Sequence, residues 1–228
     1  MDEDRIPFAR ALGAWLSPAI LGAWWARLRG CLRPSPCPYS LAAAFEAPGR
    51  RLVAGAERVL DRFGLHAGET VLEIGPGTGF YSIEAARRVA ARGRLVCLDI
   101  QPEMLHHTKG RLEARGLEAE FVQADARSLP LRPSSVDHVL LIGVLGEIPD
   151  RTTALAEIRR VLRPGGRLSV SEQLPDPDFV TQRALRRELT AAGFAKEETR
   201  GWLFYTSRWS KPEASAGPPG GAARAPWP

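Results

Sequence analysis

The sequence predicts an α/β protein built on a mostly parallel sheet that is covered by helices on both faces. Short apolar runs alternate with helical segments along the middle of the chain, an order typical of strand–helix–strand units. The first apolar run, Val71–Ile74, leads directly into a turn with glycine at every second position. The chain has 228 residues, enough for one such domain with additional segments at its ends.

The predicted elements follow one another in regular order after the first strand. Each predicted strand ends in a turn or a polar residue, and a helical segment separates most of them. The elements in chain order are a helix over Phe80–Ala91, a strand over Arg94–Ile100, a helix from Pro102, a strand over Phe121–Ala126, a strand over Val136–Gly143, a helix over Ala154–Leu162, a Pro-Gly-Gly turn followed by a fifth strand, and a helix over Phe179–Ala192.

The glycine turn indicates a nucleotide-like ligand. Glycine has no Cβ, so a ligand can lie directly against the backbone of such a turn, and the following helix offers free N–H groups. A dinucleotide fingerprint would place a third glycine at position 80, which is Phe80 here. The third glycine is Gly79 instead, and this spacing disfavours an NAD-dependent oxidoreductase.

The spacing Glu73-x-Gly75-x-Gly77-x-Gly79 resembles motif I of class I S-adenosylmethionine (SAM) dependent methyltransferases. The resemblance covers roughly residues 50–208. It implies a Rossmann-like, seven-stranded sheet with an antiparallel seventh strand, closed by the pair Ala195–Arg200 and Trp202–Trp209. The stretch Arg160–Val170 is common in the small-molecule branch, which includes the ubiquinone/menaquinone C-methyltransferases.

The same resemblance implies where SAM binds. Asp99 ends the second strand, where a carboxylate can accept both ribose hydroxyl protons; it is also suited to cap the helix from Pro102. Ile100 and Met104 are expected to line the adenine, and Asp125 to contact its amino group. The complete expected set is Glu73, Gly75, Pro76, Gly77, Gly79, Asp99, Ile100, Met104, Asp125, Ala126, Ile142 and Gly143.

Methyl transfer from a sulfonium requires little acid–base chemistry. Alignment of the acceptor, the methyl group and the sulfur supplies most of the rate, and a base is needed only where the acceptor must lose a proton early. Glu147 and Tyr81 are the candidate catalytic residues. Glu147 is equally suited to cap or salt-bridge the next helix, and Tyr81 to pack against the N-terminal segment. The sequence shows no metal-ligand spacing.

Composition and charge argue against a nucleic-acid acceptor. The net charge is +5 and the pI is about 9.5, but the arginines are scattered among glutamates. The segment Gly143–Pro149 also differs from the motifs that amino- and carbon-methylating nucleic-acid enzymes carry after the fourth strand. A small-molecule acceptor is expected instead.

We divide the chain into an apolar helical extension over residues 1–49, the methyltransferase domain over 50–210 and a disordered, Pro/Gly/Ala-rich tail over 211–228. Between Arg10 and Arg27 sixteen residues carry no charge, which is short of the ~20 that span a bilayer. We interpret residues 8–28 as a cap or acceptor-pocket wall; peripheral membrane contact and a spanning anchor are the alternatives.

The link after the fifth strand is too short to form a lid, so the wall around the acceptor must come largely from the N-terminal segment. Because that segment is apolar, we expect an apolar acceptor. The sequence thus predicts a cytoplasmic, SAM-dependent methyltransferase, with membrane association as an alternative location. A SAM-binding scaffold without turnover and a membrane-associated thiol or lipid methyltransferase are the other interpretations. The acceptor atom and the oligomeric state stay open.

Overall fold

The computed structural model describes residues 36–37, 55–89, 92–174, 176 and 178–213. The strands in these ranges are β1 (Thr70–Ile74), β2 (Arg94–Asp99), β3 (Glu120–Gln123), β4 (Val136–Ile142), β5 (Leu162–Gln173), β6 (Ala195–Gly201) and β7 (Phe204–Ser210). The helices are α1 (Ala56–Phe63), α2 (Ser82–Val89), α3 (Pro102–Glu113), α4 (Arg151–Val161) and α5 (Gln182–Ala191), with a 3₁₀ helix over Leu145–Glu147.

The strands form one seven-stranded sheet in the order β3-β2-β1-β4-β5-β7-β6. Strands β1 to β5 pair in parallel, whereas β7 runs antiparallel to both β5 and β6. This arrangement confirms the predicted Rossmann-like sheet with an antiparallel seventh strand. It also places the carboxyl ends of the central parallel strands along one edge, where open α/β sheets bind their ligands.

Alternating side chains of the strands build a core on each face of the sheet. On β1, Val71 packs with α1, α2 and α3, whereas Leu72 and Ile74 pack on the face that carries α4 and α5. Both faces of the central strands are therefore apolar, as expected for parallel strands that helices cover on both sides. A rigid central sheet fixes the loops that follow β1, β2 and β4.

The Pro-Gly-Gly segment differs from the prediction, because it lies within β5 instead of forming a turn before that strand. The Gly165 N–H donates to the carbonyl oxygen of Lys211 at 2.9 Å, and the Lys211 N–H donates to that of Gly166 at 2.8 Å. These bonds extend the pairing beyond β7, while Gly165 has a φ of 73° and the register with β4 shifts between Leu162 and Arg167. Lys211 is thus held by the domain, one residue beyond its predicted end.

The preceding helix also starts earlier than predicted. It begins at Arg151, because the side chain of Asp150 accepts hydrogen bonds from the N–H and the hydroxyl of Thr153, a regular N-cap. Residues 8–28, interpreted as a cap or acceptor-pocket wall with membrane contact as an alternative, and the tail from residue 214 lie outside the described residues. Among the helices that are described, none is long and apolar enough to cross a bilayer.

Candidate active site

A cavity of about 280 Å³ opens at the carboxyl ends of β1, β2 and β4. Strands β1 and β4 are neighbours in the sheet, but the helices that follow them, α2 and α4, pack on opposite faces, which leaves a crevice between the two strand ends. Every residue predicted for the site lines this cavity, with the exception of Glu73 and Gly79. The loops after four neighbouring strands, β3, β2, β1 and β4, therefore bring the predicted constellation together.

The glycine turn forms one wall of the cavity. Gly75 and Gly77 have left-handed backbone angles, with φ of 69° and 58°, which side chains rarely adopt. A Cβ on Gly75 would lie 2.5 Å from Cγ2 of Val144, whereas a Cβ on Gly77 would meet no protein atom within 4 Å. The turn thus presents bare backbone and open space to a ligand.

Gly79 contacts α3 and does not line the cavity. Its φ is 78°, and a Cβ at this position would lie 2.9 Å from Cγ2 of Thr108. The hydroxyl of Thr108 donates to the carbonyl oxygen of Gly77 at 2.9 Å, and Nη1 of Arg111 donates to that of Thr78 at 2.9 Å. Gly79 therefore permits the close approach through which α3 fixes the glycine turn.

Glu73 lies beneath the cavity and does not line it. Its side chain on β1 is buried, with 2% of the residue exposed, and Sγ of Cys97 on β2 lies 3.9 Å from its Oε2. Burial raises the pKa of Glu73 to about 7, because an ionised carboxylate is poorly solvated there. Glu73 therefore does not line the cavity, and its role in cofactor binding stays a prediction.

Asp99 ends β2 and points its carboxylate toward the cavity edge. The residue is 8% exposed, and its Oδ1 accepts a hydrogen bond from the N–H of Gln101 at 2.9 Å. Burial raises the pKa of Asp99, although the N–H groups of Gln101 and Ile100 counteract this effect. Met104 is buried beside it, whereas Ile100 is 45% exposed. This group combines a carboxylate acceptor with two apolar side chains.

Asp125 follows β3 and forms an ion pair that the sequence did not indicate. Nη2 of Arg127 lies 2.6 Å from its Oδ2, and the Arg127 N–H donates to its Oδ1 at 2.8 Å. The hydrogen bonds from Arg127 lower the pKa of Asp125. Arg127 also lines the cavity. The only sequence signal was an arginine two residues after an acidic side chain, a pattern too common to be diagnostic.

The other end of the cavity is mostly apolar. It is lined by Val144, Ile148 and Pro149 from the loop after β4. Tyr81 also lines the cavity; it is buried and packs edge-on against Phe80, with ring centroids 5.0 Å apart. Neither Trp202 nor Tyr205 lines the cavity. Trp202 is 77% exposed, and Tyr205 lies in the core with its hydroxyl bonded to the carbonyl of Val180.

The N-terminal region reaches this cavity through Pro36 and Cys37. The Cys37 N–H donates to Oε2 of Glu147 at 2.9 Å, and Nε2 of Gln101 donates to the Cys37 carbonyl oxygen at 2.9 Å. Gln101 and Cys37 were not predicted as site residues, because contacts between positions so distant in the chain leave no local pattern. Within the described ranges, no group of three His, Cys, Asp or Glu side chains is arranged to hold a metal ion.

Comparison with known proteins shows what this domain resembles. Residues 72–170 match a family described as methyltransferase domain. The fold resembles that of a SAM-dependent methyltransferase from Aquifex aeolicus, with a TM-score of 0.71, 23% identity and coverage of 76% of this chain and 98% of that protein. Residues 72–170 are thus similar to methyltransferase domains, and the sheet has the fold of that SAM-dependent methyltransferase. The cofactor of this domain class is SAM.

Two relatives of the methyltransferase domain are ubiquinone/menaquinone biosynthesis C-methyltransferases. The protein from Hahella chejuensis is 38% identical over 140 residues, which are 58% of this chain and 56% of that relative. The protein from a Marinomonas species is 32% identical over 152 residues, or 63% of this chain and 61% of the relative. The chain thus matches little more than half the length of these proteins.

Proposed function

We propose that this chain transfers a methyl group from SAM to a small, apolar acceptor. The observation that carries the proposal is the continuity of one cavity from the glycine turn and Asp99 to the apolar residues after β4. The first part suits a nucleoside, and the second part suits an acceptor placed next to it. A ligand pocket of this kind combines apolar walls with a few oriented polar groups.

The cofactor half fits SAM by the chemistry of its donors and acceptors. The carboxylate of Asp99 is placed to accept the ribose hydroxyl protons, and Asp125 to accept from the adenine amino group. The space beside Gly77, where a Cβ would meet no protein atom, leaves room for the ligand against the backbone. Ile100 and Met104 would contact the faces of the base.

The acceptor half explains why we propose an apolar molecule. Val144, Ile148 and Pro149 form its walls, and Pro36 adds a further apolar surface from the N-terminal region. A largely polar acceptor would lose more hydration there than the few polar groups of this wall could replace. The names of the two C-methyltransferase relatives favour ring carbons of quinol-type molecules as the first acceptors to test.

The protein contributes binding and alignment to this reaction. SAM, when bound, supplies an already activated methyl group, so the chain needs to orient the acceptor and to exclude water from the cavity. Where the acceptor loses a proton, Tyr81 and Glu147 are the candidate proton acceptors at that end of the cavity. Glu147 also accepts a hydrogen bond from the backbone of Cys37, which gives its carboxylate a positioning role as well.

The proposal is tested with the purified full-length chain and SAM that carries a labelled methyl group. We expect label in one apolar member of a panel of hydroquinones, phenols, thiols and amines, with the product identified by mass spectrometry. Calorimetry with S-adenosylhomocysteine (SAH) separates the alternatives. Binding without turnover on any acceptor or on cell extract would support a SAM-binding scaffold. Absence of binding would overturn the proposal as a whole.

A further inference from the structure

Cys37 connects the loops on the two sides of the glycine turn. Its N–H bonds to Glu147 after β4, and its carbonyl oxygen accepts from Gln101 after β2. Because β2 and β4 flank β1 in the sheet, a residue held by both loops crosses over the carboxyl end of β1. Pro36 and Cys37 thus lie across the cavity, between the loops that follow β2 and β4.

This crossing is connected to the cofactor half by further hydrogen bonds. Gln101 uses its side chain to bond Cys37 and its backbone N–H to bond Oδ1 of Asp99. A continuous chain of bonds therefore runs from Asp99 through Gln101 and Cys37 to Glu147. Any ligand that engages Asp99 acts on the first member of this chain.

We propose that Gln101 and Glu147 form a latch that holds Pro36 and Cys37 over the cavity, and that this latch opens when the cofactor is exchanged. The inference deepens the proposed function and rests on it for the identity of the ligand. It assigns Gln101 and Glu147 as positioning residues. Release of the segment lets ligand enter and leave, and its closure shields the reacting groups from water.

The thiol of Cys37 provides a direct measure of latch opening. Cys37 is buried in the closed state, with 9% of the residue exposed, and Cys97 on β2 is fully buried. Opening of the latch exposes Cys37 alone, whereas global unfolding exposes both thiols. Iodoacetamide labelling of the full-length chain, followed by peptide mass spectrometry, measures the alkylation rates of Cys31, Cys37 and Cys97 separately. Latch opening and global unfolding are therefore distinguished within one sample.

The key comparison is between two variants at Glu147. Glu147→Ala removes the acceptor for the Cys37 N–H, and we expect alkylation of Cys37 to become about tenfold faster or more, as for loss of a charge-assisted hydrogen bond. Glu147→Gln retains an oxygen acceptor, and we expect it to restore most of the protection. Gln101→Ala should behave like Glu147→Ala. Glu103→Ala, on the exposed first turn of α3, is the matched control and should not change the rate.

Ligand exchange provides the second measurement. In stopped-flow displacement of SAH, Gln101→Ala and Glu147→Ala should accelerate both association and dissociation, because they open the path into the cavity. Loss of an ordinary ligand contact would accelerate dissociation alone. Saturating SAH should slow the alkylation of Cys37 in the native sequence, and this protection should be reduced by Gln101→Ala.

Several results would overturn the latch. Cys37 could react in the native chain as fast as a cysteine in a short peptide, or its rate could stay unchanged in both alanine variants. Equal rates for Glu147→Gln and Glu147→Ala would show that the hydrogen bond does not hold the segment. Alkylation needs neither turnover nor SAH, so these outcomes are distinguishable from failure of the proposed methyl transfer.

Discussion

Glu73 and Cys97 are register partners on β1 and β2, and the Glu73 Oε2 lies 3.9 Å from the Cys97 Sγ. Burial raises the pKa of both groups, and for Glu73 the value reaches about 7. The protein thus contains a carboxyl that holds its proton near neutral pH, directly below the glycine turn. Its protonation couples the stability of this region to pH.

The first prediction concerns Glu73→Gln. Between pH 4.5 and about 7 the folded chain keeps a proton on Glu73 that the unfolded chain releases, so this carboxyl lowers the free energy of unfolding as pH rises through that window. The glutamine variant lacks this effect. Its stability relative to the native sequence should therefore increase from pH 5 to pH 8, by on the order of 3 kcal/mol, in urea denaturation. A difference that is the same at both pH values would contradict the assignment.

Removal of the Asp99 carboxylate should weaken cofactor binding without unfolding the domain. A charge-assisted hydrogen bond contributes about 1.5–3 kcal/mol, so Asp99→Ala should reduce the affinity for SAH roughly 10- to 100-fold by calorimetry. Glu103→Ala tests for a general effect of removing negative charge, since Glu103 lies exposed near the start of α3. Unchanged affinity in Asp99→Ala would refute the ribose contact.

Two glycine variants separate backbone strain from ligand contact. Gly77 and Gly68 both have positive φ, and a Cβ at either position would meet no protein atom within 4 Å. Alanine at each site should cost about 1–2 kcal/mol of stability, measured by thermal denaturation. Of these two glycines only Gly77 lines the cavity. We therefore expect the affinity for SAH to fall by about tenfold or more in Gly77→Ala and to be retained in Gly68→Ala. Equal affinities would place the ligand elsewhere.

The N-terminal region should be needed for methyl transfer but not for cofactor binding. A chain that lacks residues 1–40 loses Pro36 and Cys37 from the cavity wall, which leaves the acceptor end open to water. We expect SAH binding to persist by calorimetry and turnover on the acceptor found in the labelling screen to be lost. Full turnover by the shortened chain would show that the wall is formed by other residues.

Much of the cavity was predictable because its signals are local. The glycine spacing before α2 and the acidic residues that end or follow β2 and β3 each lie within a few positions of a strand, and parallel strands bring their carboxyl ends together. The separate roles of Gly77 and Gly79 were not predictable from spacing. Gly79 faces Thr108 on α3, whereas a Cβ on Gly77 would point into open space in the cavity.

The contacts that close the cavity required the structure. Cys37 bonds Gln101 and Glu147 through its backbone, and backbone groups carry no residue-specific signal. The predicted start of β5 was wrong for a similar reason, since a distant backbone contact decides it. Pro164 and the two glycines after it favour a turn, but pairing with Lys211 holds this segment in the sheet.

The support that α3 gives to the glycine turn has a consequence for protein engineering. Thr108 and Arg111 hold the carbonyl groups of Gly77 and Thr78, and Thr108 fills the space next to Gly79. A glycine turn transplanted from another protein would lack partners that match Thr108 and Arg111 of its own α3. Chimaeras in which the turn and α3 come from the same parent should therefore retain their shape, whereas those that mix parents at this junction should not.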